Sequence, residues 1–184
     1  MQQPYFLNEA GNKKMKDGIM LWYAGKNPFI QSITGTDVTV HSTYNGEPVT
    51  QNYPSLNNAA IALQVDPNTE VYIDGNVTEM YTSSSEKRIV CHNTALTSLY
   101  CDGCPGLTSL DLSANTELTK LYCRSCNYIE TIKYVAQNTV VATNIADLIS
   151  NAFATDGNVY CKGTYSSTVQ TAATSKGWTY HTLE

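Results

Sequence analysis

Cys101-Asp102-Gly103-Cys104 and Cys123-Arg124-Ser125-Cys126 are two CxxC pairs with an 18-residue spacer, residues 105–122, between them. Four thiolates at that spacing can surround a zinc ion and tie two loops together. His92, beside Cys91, is a weaker ligand candidate, because a lone His next to a buried strand position normally faces water. Nucleophilic chemistry has less support. The three histidines, His41, His92 and His181, are scattered over different elements, and no GxSxG, HExxH or phosphate-binding glycine loop occurs. Asp74, Asp102 and Asp111 fall in turns or on opposite faces, so no pair of carboxylates stands out for glycoside hydrolysis.

The elements that must position these cysteines come from an eleven-residue repeat. Leu96, Leu107, Leu118 and Ile129 head four units; Leu99, Leu110, Leu121 and Ile132 fill a second apolar slot. Cys101, Leu112, Cys123 and Tyr134 fill the third, and Cys104, Asn115, Cys126 and Gln137 the turn slot. The template therefore explains all four cysteines without a metal, since free Cys behaves as a small buried hydrophobe. Structural thiols are the stronger reading and a zinc-stabilised structural domain using Cys101, Cys104, Cys123 and Cys126 is the alternative.

Back-to-back units of this length predict a solenoid. Upstream, weaker units at Val71, Val77 and Ile89 bring the expected strands between Val71 and Val135 to seven. Two units make one coil, so alternate units stack about 4.8 Å apart into two parallel sheets. Units at Val71, Ile89, Leu110 and Ile132 belong to one sheet, and those at Met80, Leu99 and Leu121 to the other. Val140-Val141-Ala142 and Val159-Tyr160-Cys161 are expected to continue the second sheet. Helices follow at Ile145–Phe153 and after Ser166 or Ser167, the latter closed by Gly177. In residues 1–67, Gly18–Ala24, Phe29–Ile33 and Asp37–Thr43 read as strands, and Pro54–Leu63 as a short helix with Leu56, Ala59, Ala60 and Leu63 on one face.

Because neighbours on a strand face opposite sides, inward Cys101 and Cys123 put Tyr100 and Tyr122 outside. Tyr81, Tyr160 and Tyr180 occupy the same slot, giving an expected tyrosine column flanked by Ser98, Lys120 and Asn158 on one side and by Asp102, Arg124 and Lys162 on the other. The column is either a stabilising set of cross-strand aromatic pairs or a recognition strip, since aromatic patches with polar rims concentrate binding energy.

The Leu107, Leu110, Leu112, Asn115 spelling of LxxLxLxxN resembles the leucine-rich-repeat family, in particular bacterial forms with nested ten- and eleven-residue units in which Cys alternates with Leu. The likeness covers Leu96–Gln137, fades over Val71–Thr94 and is absent before Asn68. It implies a parallel solenoid; together with the strand–helix–strand pattern from Val140 onward and the strands before Asn68, the expected fold is an α/β parallel β-solenoid with two short-strand sheets, a βαβ-like C-terminal cap and a small β-rich N-terminal cap. The corresponding boundaries are 1–67, 68–143 and 144–184. The resemblance also implies cell-surface display and protein recognition, and it supplies no catalytic residue.

Composition narrows the function classes further. Only 15% of residues are charged, against about 25% in an average domain, a balance suited to water-exposed β-structure. A net charge of -5 and a pI near 5.1 leave no basic stripe for nucleic acid. The longest apolar stretch, Ile19–Ala24, falls far short of the ~20 residues that span a bilayer, and Met1–Asn12 lacks the basic and apolar regions of a secretory signal. The expectation is a noncatalytic module, without cofactor, that binds a protein or glycan on its tyrosine-bearing sheet.

Overall fold

A computed structural model of the protein describes residues 5–7, 13–15, 18–23, 29–82, 86–135, 139–163 and 166–183. In chain order the elements are β1 (Tyr5–Leu7), β2 (Lys13–Met15), β3 (Ile19–Tyr23), β4 (Phe29–Tyr44), β5 (Glu47–Ala62), β6 (Glu70–Tyr81) and β7 (Glu86–Cys91). They continue with β8 (Ser98–Tyr100), β9 (Ser109–Leu112), β10 (Lys120–Tyr122), β11 (Thr131–Val135), α1 (Thr139–Asn151), β12 (Asn158–Lys162), α2 (Ser167–Lys176) and β13 (Thr179–Leu183). The two short strands β1 and β2 pair with each other, and the other eleven form one mixed sheet.

Long antiparallel strands build its N-terminal part. Asn45 and Gly46 both adopt positive φ, 53° and 77°, which a two-residue hairpin turn of matching twist requires. That turn folds β5 back along β4 from Tyr44↔Glu47 to Phe29↔Ala62. Residues 54–62 therefore lie in β5, and the helix expected over Pro54–Leu63 does not form. Asn58 sits at φ 48° and the register slips between Ile33 and Gly35. This bulge inserts a residue and breaks the alternation that would have signalled a strand. Pro54 is tolerated because β5 pairs only with β4 and needs no amide on its other edge.

β6 is where the sheet divides. On one side it pairs with β4 from Tyr72 to Tyr81; on the other, Glu70–Ile73 pair with β3 and Glu79–Tyr81 with β8. The change of partner falls beside Gly75, at φ 109°, where an added Cβ would collide with the Asp37 carbonyl. From this branch one wing runs β6-β8-β10 in parallel. The other begins at β3, which pairs antiparallel with both β6 and β7, and continues in parallel as β7-β9-β11-β12-β13.

The chain is thus a mixed β-rich sheet with long antiparallel hairpins, a parallel section and two C-terminal helices, and not a repeating leucine-rich-repeat solenoid. Three features overturn that expectation. The units at Val71 and Val77 are one continuous strand, β6, and Val71 pairs with Leu21 of β3 instead of with Ile89. Val140-Val141-Ala142 belongs to α1, because Val141, Ile145, Leu148 and Ala152 extend the apolar helical spacing upstream and are all buried. α1 packs against β10, so β12 and β13 join the opposite wing. α2 keeps its expected ends: Ser166 Oγ accepts from the Val169 amide, and Gly177 closes the helix at φ 83°.

Within the parallel section the residues spaced by the repeat are aligned: Met80, Leu99 and Leu121 in one wing, Ile89, Leu110 and Ile132 in the other. All six are at most 1% exposed and belong to one core cluster with Leu96, Leu107, Leu118 and Ile129. Two polar spines tie successive levels. Thr97 and Thr119 hydroxyls donate to the Thr78 and Thr97 carbonyls at 3.0 and 3.2 Å. Asn115 Nδ2 donates to the Asn93 carbonyl at 2.6 Å, and Asn93 Nδ2 to Gly75 at 2.7 Å. The Asn93 and Asn115 side chains therefore point inward and satisfy backbone carbonyls, while Gln137 of the expected turn slot lies outside the described residues.

Candidate functional site

The register of β6, β8 and β10 sets Tyr81, Tyr100 and Tyr122 side by side on the outward face. Their rings stack: Tyr81 and Tyr100 have centroids 5.4 Å apart with planes 11° from parallel, and Tyr100 and Tyr122 are 4.8 Å apart at 6°. Tyr122, on the last strand of this wing, is the most open, 39% exposed.

Two residues further along, Asp102 and Arg124 form a parallel column on the same face. The Arg124 guanidinium donates through Nη2 and Nε to Asp102 Oδ2 at 2.8 and 3.2 Å, and the Arg124 amide donates to Asp102 Oδ1 at 2.6 Å. This hydrogen bonding and the Asp102 charge raise the Arg124 pKa further. The Arg124 side chain is 81% exposed, and exposed pairs contribute little to stability. What the pair fixes is the place of a cation beside the aromatic column. On the other side Lys120 is exposed, whereas Ser98 is buried with its hydroxyl 3.5 Å from Glu79.

Tyr160 and Tyr180 do not join the column. Tyr160 stands in the other wing opposite Lys133 and stacks on His181 at 4.4 Å, while Tyr180 pairs with Val159 and packs against the core. Asn158 and Lys162 lie in that wing too, Asn158 Oδ1 being 2.9 Å from His181 Nε2. The expected shared wall fails beyond Tyr122 because α1 occupies the position where the strand at 140–142 was expected. Three of the five tyrosines come together.

Cys101, Cys104, Cys123 and Cys126 are buried thiols outside any disulfide, as are Cys91 and Cys161. Cys126 donates to the Cys101 carbonyl at 3.0 Å, and Cys104 to Glu86 at 3.5 Å. Burial pushes the Cys91 and Cys123 thiols well up. A hydrogen bond with Cys126 lowers Cys101, yet burial carries it to about 11. Protonated thiols are poor ligands and nucleophiles. Among the described residues no three His, Cys, Asp or Glu side chains are grouped to hold a metal. The carboxylates are also apart: Asp102 pairs with Arg124, Asp111 with Lys133 at 3.4 Å, and Asp74 accepts from the Gly75 amide.

The sequence reading missed two features. Glu86 is fully buried beside Tyr23 and Cys104, and burial followed by the Glu86 charge raises the Tyr23 pKa. The other is a cleft of about 520 Å³ between the 123–127 turn and α1, with Phe153 at its mouth. Phe153, expected on the buried helix face, lies past the end of α1 and is 62% exposed. The available signal was polar: Asn144, Asp147 and Asn151 are spaced to share one face of a helix.

No family of known proteins, no curated relative and no solved structure matches this chain. Among the described residues, no helix is long and apolar enough to cross a membrane.

Proposed function

We propose that this protein is a noncatalytic recognition module whose Tyr81-Tyr100-Tyr122 face, bordered by Asp102 and Arg124, binds a protein or glycan. The supporting observation is the stacking of the three rings, which strand pairing holds in place before any ligand arrives. Preorganised aromatic side chains lose little conformational entropy on binding. Stacking also shapes the surface. The inner ring faces are covered by neighbours, so the column offers ring edges and hydroxyls along its length and an open ring face only at its ends.

Screening glycans and candidate protein partners against wild type and a Tyr100→Ser, Tyr122→Ser variant tests the reading. A ligand that binds wild type and is lost by the folded variant supports it. Equal binding by both forms refutes it.

A further inference from the structure

We infer that the cleft between the 123–127 turn and α1 is a binding site for a neutral saccharide, distinct from the tyrosine column although Arg124 borders both. Its volume, about 520 Å³, falls in the ~300–1,000 Å³ range of small-ligand sites. Arg124, Ser125, Asn127, Asn144, Asp147 and Asn151 contribute polar groups to its lining. Three amides, a hydroxyl and a carboxylate offer both donors and acceptors. That mixture matches sugar hydroxyls, each of which both donates and accepts.

Charge narrows the ligand. Among the described residues Asp147 is the only carboxylate lining the cleft, and Arg124, the only cation there, is already paired with Asp102. A phosphate or carboxylate ligand would meet a net negative field, which disfavours it. A cation would find one partner in Asp147 and leave the amides unused. A purely apolar ligand is equally unsuited, since Cys123, Leu148 and Phe153 are the apolar members of the lining.

The walls are set in advance. Asn144 Nδ2 donates to the Val140 carbonyl at 3.0 Å and Asn151 Nδ2 to the Asp147 backbone carbonyl at 2.8 Å, which orients both amides and leaves their Oδ1 atoms available as acceptors. The Phe153 amide donates to the Asn127 carbonyl at 2.7 Å, and Cys123 Sγ lies 3.9 Å from the Asn144 carbonyl, so turn and helix are joined at both ends of the cleft. Phe153 meets Tyr128 edge to face at 5.1 Å. Phe153 is 62% exposed, so aromatic surface remains available at the cleft, and the electron-rich face of an aromatic ring receives the C–H side of a pyranose.

The test is titration of the full chain with oligosaccharides from cellulose, xylan, mannan and starch, followed through backbone amide NMR shifts. At least one should shift the resonances of residues 123–127 and 144–153. Asp147→Ala and Asn151→Ala, each checked for an unchanged amide spectrum elsewhere, should weaken that ligand about tenfold or more. Tyr100→Ser should leave its affinity in the cleft unchanged. The inference is overturned if no member of the panel binds at tens of millimolar, or if shifts map to residues 81, 100 and 122 alone. It fails equally if the two cleft variants bind as wild type does, or if the cleft takes a peptide in preference to every sugar. The first, third and last of these results leave the tyrosine reading standing.

Discussion

Replacing each of Tyr81, Tyr100 and Tyr122 by Leu measures what the ring column contributes. Tyr100 is the middle ring, with partners at 5.4 and 4.8 Å, while each outer ring has one. A stacked aromatic pair stabilises by ~0.5–1.5 kcal/mol beyond its buried area. Tyr100→Leu breaks two pairs and should cost about 1–3 kcal/mol; Tyr122→Leu and Tyr81→Leu should each cost about half of that. Leucine keeps an apolar side chain on the strand at all three sites, so differences in intrinsic strand preference cancel between variants. For a chain of this size 1 kcal/mol shifts Tm by ~2–4 °C, which urea or thermal unfolding followed by tryptophan fluorescence resolves. A stricter form follows from geometry. The two outer rings do not touch each other, so the Tyr81→Leu, Tyr122→Leu double variant should lose the same two ring pairs as Tyr100→Leu alone. A Tyr100→Leu variant no less stable than Tyr122→Leu would refute the stacked column.

Two further outcomes are expected. Asn115→Ala removes the 2.6 Å bond to the buried Asn93 carbonyl and should cost ~1–3 kcal/mol in urea unfolding; a loss under about 0.5 kcal/mol would show that the spine does not bear on stability. Cys101 titrates at about 11 in the fold against an ordinary thiol value of 9.0. A raised folded pKa stabilises fully below the unfolded value, so this contribution, on the order of 2–3 kcal/mol, is present below pH 9 and lost as pH rises toward 11. Urea midpoints across that window should fall, with a shallower slope in Cys101→Ala; identical slopes would contradict the assignment.

What the sequence made legible was local. The spacing of Leu99 with Leu121 and of Leu110 with Ile132 carries the parallel registers, because a side-chain period of two allows only one face inward. The same alternation placed Tyr100 and Tyr122 outside and Cys101 and Cys123 inside. What stayed hidden depends on contacts distant in the chain. The bulge at Asn58 erased the strand signal of β5 and left a false helical face. Val140–Ala142 carries strand-favouring residues, but the buried side of α1 outweighs that preference. Tyr160 and Tyr180 share a sequence slot with Tyr100 yet stand in the other wing, because a triplet motif records which residues alternate and not which sheet they join. No local pattern announced Glu86, an acid at 0% exposure, or the cleft that forms only when α1 docks on the 123–127 turn.

The position of β3 between β6 and β7 bears on how the chain is made. Ile19, Leu21 and Tyr23 are fully buried, and the strands that cover them come from residues 70–91. A ribosome delivering the N-terminus first releases this apolar segment long before its partners exist. Through that interval it is a sticky nascent strand of the kind that chaperones shield, and closure of the two wings around it must wait until β7 has emerged.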